Sequence, residues 1–205
     1  MKKGDKLFQK IKLPTEMAPN DRLRIKDINV WKQYANSYYY NGLIMIHIFS
    51  NRNNYKILDK IGIDKVLLFS EADRLASIYF SIRHYIELIL KLIIMVDNYN
   101  SSDKTQIEFT THSISEIWPE SKEIVLSESI IEPSQIDRLE NIIKDFEFVD
   151  NNSTRFRYSH DKQWNCVFNL KNHFVYLPAQ TNKTIKRLKK LFDFIIKELI
   201  KKNKL

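Results

Sequence analysis

The chain is poor in glycine and cysteine. Its 205 residues include three glycines, which argues against phosphate-cradling loops and dinucleotide-binding turns, since both need several glycines close together. Cys166 is the only cysteine, and one cysteine cannot form an internal disulfide or a multi-cysteine zinc site. The five histidines show no close pairing. We therefore expect no bound metal and no other cofactor.

A long hydrophobic run is also missing. The most apolar stretch, Leu88 to Val96, is interrupted by Lys91 and is much shorter than the roughly 20 residues that a membrane span needs. The N-terminal residues carry several lysines and no apolar segment of the length a signal peptide requires. These absences predict a cytoplasmic protein with no membrane segment.

What the chain does have is positive charge, and it is unevenly placed. The formal net charge is +8. Residues 181–205 hold nine lysines and arginines against Asp193 and Glu198, so this segment alone carries +7. Such a field favours an anionic partner, and nucleic acid is the partner we expect, bound through an RNA track of Lys186, Arg187 and Lys190. A solvated helix face in a lysine-rich protein explains the same charge equally well.

The hydrophobic pattern predicts a mostly α fold. We expect an up-and-down bundle of four to five helices, with a small β-hairpin before the last helix. Residues 1–26 are interpreted as an extended leader and residues 27–205 as one domain. The expected elements are listed in chain order: a helix from residue 27 or 29 to about 49, a central helix over 63–98 with a break allowed near 70, a short helix over 113–118 ending before Pro119, a helix from Pro133 to about 146, a hairpin over 164–177, and a final amphipathic helix.

A polar stripe crosses the apolar surface of the central helix. At 100° per residue, Arg83, His84, Glu87 and Lys91 fall within an arc of about 100°. Polar groups within apolar surface are unfavourable unless they are paired, and Glu87 is four residues from both Arg83 and Lys91. Two interpretations stay open: a structural ladder of ion pairs facing another helix, or a cleft lined by cations that Glu87 holds in place.

A second polar group lies between the fourth helix and the hairpin. This loop combines arginines, whose planar forks match phosphate oxygens, with a histidine that titrates near neutral pH. Metal-independent RNA cleavage needs a base for the ribose 2′-OH, cations for the charged phosphorane and an acid for the departing oxygen. The residues concerned are Arg155, Arg157, Tyr158, His160 and Asp161.

These stretches resemble HEPN domains. Arg155-Phe-Arg-Tyr-Ser-His160 matches the Arg, four to six residues, His signature of that family, and Arg83-His-Tyr-Ile-Glu-Leu-Ile-Leu-Lys91 is similar to the Arg-His-x-x-Glu-Leu-x-x-Lys helix of one HEPN-like subgroup. The stretch from His112 to Trp118 resembles the start of that subgroup's next helix. HEPN domains are helical bundles that commonly dimerise, and many are metal-independent endoribonucleases of toxin–antitoxin, abortive-infection and CRISPR-linked defence.

The resemblance implies a role for each matching residue. His160 would be the acid/base and Arg155 the phosphate stabiliser. Arg83, His84, Glu87, Lys91, Arg157, Tyr158 and Asp161 would form the supporting cleft. His112 is interpreted as part of a helix start rather than as a catalytic residue. The expected partners are RNA, a second copy of the chain and an antitoxin or other defence-system protein. The alternative is a non-catalytic HEPN-like module that binds RNA, a nucleotide or a partner protein through the same cleft.

Overall fold

The computed structural model describes residues 25–50, 71–99, 109–150 and 181–203. These residues confirm a mostly α bundle and contain five helices: α1 Ile25–Ser50, α2 Glu71–Asn98, α3 Ile114–Ser127, α4 Pro133–Val149 and α5 Thr181–Lys202. α1 begins two residues before the expected boundary at residue 27. The predicted start of the central helix at residue 63, the hairpin over 164–177 and residues 1–24 of the predicted leader lie outside the described residues.

α2 is the central helix, and α1, α3 and α5 all pack against it. Every side chain from Tyr85 to Val96 is buried. A helix that is apolar on nearly all sides must be covered on several sides, and the sequence pattern predicted that arrangement for this helix. The buried residues of α2 therefore form the middle of one continuous core.

α1 runs antiparallel to α2. Trp31 near its start donates from Nε1 to the carbonyl oxygen of Leu88 at 3.0 Å. Asn41, ten residues later, donates from Nδ2 to Oγ of Ser81 at 3.0 Å. Between them Gly42 packs directly against Ile82, since an added Cβ would lie 2.5 Å from Cδ1 of Ile82.

α3 is longer than the sequence predicted. The prediction that it ends before Pro119 is wrong, because the helix continues through Pro119 to Ser127. Pro119 lacks the N–H that would donate to the carbonyl of Ser115 four residues earlier, and its ring crowds that carbonyl. Ser115 is exposed, so water can bond to its carbonyl instead. Oγ of Ser113 caps the helix by accepting from the backbone N–H of Glu116 at 3.3 Å.

A Schellman motif ends α3 and directs the chain into α4. The N–H of Ile130 donates to the carbonyl of Val125 at 3.2 Å, and the N–H of Ser129 donates to that of Leu126 at 3.0 Å. Ser129 has φ 49°, the left-handed value that this motif requires. Pro133 then occupies the first turn of α4, as its position in the sequence predicted.

α5 packs against the face of α2 that carries Tyr85. The rings of Tyr85 and Phe192 are 6.0 Å apart, and Asn203 Nδ2 donates to the carbonyl of Val96 at 3.1 Å, so α5 runs parallel to α2. The apolar face predicted for the last helix is the buried one. Its buried residues are Ile185, Leu188, Phe192, Ile195, Ile196 and Leu199.

Candidate functional site

The carboxylate of Glu87 lies at the centre of a group of cations and histidines. Its Oε1 accepts from Lys91 Nζ and from His112 Nδ1, both at 2.8 Å. Its Oε2 accepts from Arg83 Nη1 at 3.3 Å and lies 3.5 Å from His84 Nδ1. We call these five residues the Glu87 cluster. The predicted stripe is thus assembled as a unit, with His112 added from the segment before α3.

Glu87 remains ionised although it is only 1% exposed. Burial alone would raise the pKa of its carboxyl group. The contact with His84 at 3.5 Å and the hydrogen bonds from Lys91 and His112, together with the charge of Lys91, outweigh burial and lower that pKa to about 2. At neutral pH the cluster therefore contains a permanent buried negative charge that holds its neighbours.

Arg83 joins three separate segments of the chain. Its Nε donates to the carbonyl of Asp150 at 3.0 Å, and its Nη2 donates to the carbonyl of His112 at 2.8 Å. Asp150 is the C-cap of α4, and His112 immediately precedes the N-cap of α3. The guanidinium of α2 therefore fixes the end of α4 and the beginning of α3 at one point. Since Arg83 is 1% exposed, these internal contacts occupy it.

Lys91 and His84 are also held by aromatic rings. Lys91 Nζ lies 5.3 Å from the ring centroid of Phe109. The ring of His84 stacks on Phe80 with centroids 5.6 Å apart, and it meets the ring of Tyr38 edge-on at 4.4 Å. The side chain of His84 is 19% exposed. On this side the cluster is closed by packing, as expected of a structural ladder.

Tyr38 extends the cluster toward the surface of α1. Its hydroxyl lies 3.1 Å from that of Tyr34. That hydrogen bond, followed by burial and by the negative charge of Glu87, raises the pKa of Tyr38 to about 12. The phenol is therefore neutral across the physiological range and acts as a hydrogen-bonding group.

His112 is the open member of the cluster, because its side chain is 58% exposed while its Nδ1 contacts the buried Glu87. The sequence interpretation of His112 as part of a helix start is incomplete, since the ring also hydrogen-bonds to the carboxylate of Glu87. Glu87 and His112 are 25 residues apart on different elements, so no helical spacing could have revealed the pair.

Five predicted site residues cannot be placed. Arg155, Arg157, Tyr158, His160 and Asp161 lie outside the described residues. The last described residue before them is Asp150, whose backbone carbonyl Arg83 holds. The described chain before them therefore ends at Asp150, beside the Glu87 cluster.

The predicted RNA track lies on another face of the molecule. Lys186, Arg187 and Lys190 are exposed on α5 and form no ion pair within the described part of the chain. α5 packs against the Tyr85 side of α2, and at 100° per residue Tyr85 and Glu87 point about 160° apart. Arg187 and Lys190 instead border a concavity of about 540 Å³ beside the turn between α3 and α4. The structure does not bring the track and the cluster together.

Comparisons with known proteins identify no relative: no family model, no curated protein and no solved structure matches the chain. None of the helices in the described ranges is long and apolar enough to cross a membrane. Within those same ranges, no three histidine, cysteine, aspartate or glutamate side chains are grouped so that they could hold a metal ion.

Proposed function

We propose that this protein is a metal-independent endoribonuclease of HEPN type that acts in toxin or antiphage defence. The observation that carries the proposal is the convergence at Arg83. The stretches from Arg83 to Lys91 and from His112 to Trp118 resemble the family at the sequence level, and they meet where the chain enters residues 151–161. Residues 151–161 contain Arg155 and His160, the pair assigned to catalysis.

In this proposal the Glu87 cluster positions the catalytic loop. Arg83 and Glu87 are each 1% exposed, so they are unsuited to direct contact with an RNA phosphate. Arg83 instead fixes the backbone at Asp150, five residues before Arg155. A fully extended chain covers at most about 3.6 Å per residue, which keeps Arg155 within roughly 18 Å of Asp150. A rigid base for a short catalytic loop is what accurate positioning requires.

The reaction is an internal transesterification. The ribose 2′-OH loses its proton, its oxygen forms a bond to the adjacent phosphorus, and the bond from phosphorus to the 5′ oxygen breaks as that oxygen gains a proton. The products are a 2′,3′-cyclic phosphate and a 5′-hydroxyl. His160 serves as an acid/base and Arg155 stabilises the charge on the phosphorane. DNA lacks the 2′-OH and is not cleaved by this route.

RNA cleavage in excess EDTA tests the proposal. Wild-type protein is incubated with structured and unstructured RNAs beside His160→Ala and a control, His47→Ala, which alters an exposed histidine on α1. We expect wild type and the control to yield cyclic-phosphate ends and His160→Ala to lose at least 100-fold in rate. Equal cleavage by all three proteins, or none by wild type on any RNA, would refute the catalytic assignment.

A second candidate is a non-catalytic module that binds RNA through α5. Its specific support is the exposure of Lys186, Arg187 and Lys190 without ion pairs in the described part of the chain, on a face separate from the Glu87 cluster. Retention of RNA without cleavage by wild type, with affinity reduced in the Lys186, Arg187 and Lys190 triple alanine variant, would favour this module. In both candidates a second copy of the chain and an antitoxin or other defence-system protein are proposed partners.

A further inference from the structure

We infer that His112 is a second acid/base of the reaction, acting as the general base toward the ribose 2′-OH. The inference rests on the proposed ribonuclease function and assigns a residue that the sequence interpretation did not. His112 combines two properties that the other members of the Glu87 cluster lack together. Its ring is 58% exposed, and one ring nitrogen is fixed by the buried carboxylate at 2.8 Å.

Glu87 determines which nitrogen of His112 is available. An ionised carboxylate oxygen can only accept, so the neutral ring must carry its proton on Nδ1 to make the 2.8 Å bond. The lone pair is then on Nε2, on the opposite side of the ring. In the described part of the chain, Nε2 has no hydrogen-bond partner. A carboxylate that orients a histidine in this way is the arrangement by which a general base is held in its active tautomer.

The other histidine on Glu87 is less suited to this role. His84 Nδ1 lies 3.5 Å from Oε2, and its ring is enclosed between Phe80 and Tyr38 with 19% of the side chain exposed. His112 also lies within reach of positive charge, because Lys91 Nζ binds the same Oε1. The backbone carbonyl of His112 is fixed by Arg83, which ties the residue to the entry of the catalytic loop.

The proton transfers balance with two histidines. Nε2 of His112 accepts the proton of the 2′-OH as the 2′ oxygen bonds to phosphorus. The phosphorus–O5′ bond breaks, and protonated His160 donates its proton to the departing 5′ oxygen. The products are the cyclic phosphate and the 5′-hydroxyl. Subsequent proton exchange with water restores neutral His112 and protonated His160.

An asparagine substitution separates this role from a structural one. In His112→Asn the side-chain NH₂ occupies the approximate position of Nδ1–H and can still donate to Glu87, but no titratable nitrogen remains. We expect an unchanged melting temperature and a loss of 100-fold or more in kcat/KM on RNA. The acid limb of the pH–rate profile, which reports deprotonation of the base, should disappear. The Nδ1 contact is absent in His112→Ala, which should lose both stability and activity.

The outcomes distinguish the two proposals. If wild type cleaves RNA, His160→Ala is inactive and His112→Asn retains full activity, the role of His112 is refuted and the ribonuclease stands. If wild type cleaves no RNA, both proposals fail. Long-range ¹⁵N–¹H NMR of the imidazole gives a readout that is independent of activity. We expect the Nδ1–H tautomer in wild type and a shift of population toward Nε2–H in Glu87→Gln. A wild-type ring protonated on Nε2 alone would contradict the assignment.

Discussion

Glu87 and Glu140 are two carboxylates with similar titration and different surroundings. Each binds two lysine or arginine side chains: Arg83 and Lys91 for Glu87, and Lys122 and Lys144 for Glu140. The pKa of each carboxyl group is lowered to about 2. However, the side chain of Glu87 is 1% exposed, whereas that of Glu140 is 25% exposed on the outer face of α4.

The comparison shows that a low pKa does not by itself report how strongly a group stabilises the fold. For Glu140, the hydrogen bonds from Lys122 and Lys144 lower the pKa, and burial opposes them little. Water and salt screen these exposed pairs, so their removal changes little. For Glu87 the same result requires partners that outweigh burial, and two of those partners, Arg83 and Lys91, are themselves removed from water. Loss of one member would leave uncompensated charge in the interior.

Glu87→Gln should have the largest effect. The amide keeps the size of the side chain but leaves Lys91 buried without its Glu87 counter-charge, and leaves Arg83 with only the carboxylates of Glu147 and Asp150, each 3.8 Å away. Breaking a buried pair costs about 3–5 kcal/mol. We expect this loss in the free energy of unfolding from urea titration at pH 7. Glu140→Gln is the matched control and should leave the urea midpoint nearly unchanged. Equal destabilisation by the two substitutions would remove the distinction between the sites.

Arg83→Lys should have an intermediate effect. Lysine keeps the positive charge near Glu87 but lacks the planar fork that binds the carbonyls of Asp150 and His112. Hydrogen bonds to charged groups contribute about 1.5–3 kcal/mol each. Since the lysine ammonium group can replace some of the bonds that Arg83 makes, we expect the free energy of unfolding to fall by roughly 2 kcal/mol. Lys122→Arg beside Glu140 is the control for lysine–arginine exchange. Hydrogen exchange should also show faster opening at the C-terminal end of α4, and unchanged protection there would contradict the anchoring role.

Acid should produce the most gradual difference. The pKa of Glu87 in the folded state, about 2, is below its ordinary value of 4.5, so its stabilisation is complete above about pH 4.5 and is lost as the pH falls toward 2. The stability difference between wild type and Glu87→Gln should therefore shrink over that range. Added 0.5 M KCl should change this difference little, while it weakens the Lys122–Glu140 pair. A difference that is constant from pH 5 to pH 2.5 would contradict the predicted linkage.

The sequence predicted the helices better than their ends. The periodicity of α5 identified its buried face because amphipathic spacing is a local property, and Pro133 marked the start of α4 for the same reason. The end of α3 was missed because the penalty of Pro119 depends on the exposure of Ser115, which is a tertiary property. The positive φ of Ser129 could not be predicted either, because serine rarely adopts the left-handed conformation.

The site was predictable only where its residues share one helix. Spacing placed Arg83, Glu87 and Lys91 together on α2 and anticipated their pairing. It could not supply His112 or the carbonyl of Asp150, because these contacts join positions 25 and 67 residues away in the chain. The same limit separates the basic α5 residues from the cluster, since charge counts along a sequence do not indicate which face of a bundle a helix covers.

The packing of Gly42 of α1 against Ile82 of α2 restricts which residues can occupy these two positions together. A glycine within a helix gives up about 1 kcal/mol of helix propensity relative to alanine. Here it allows close approach to the side chain of Ile82, which is 1% exposed, and an added methyl group at position 42 would force that side chain to shift. A larger residue at position 42 would require either a new packing of Ile82 or a shift of α1, the helix that carries Tyr38 against His84. Among homologues, substitution at this position should therefore occur together with a smaller residue at position 82, so that the two positions vary as a pair.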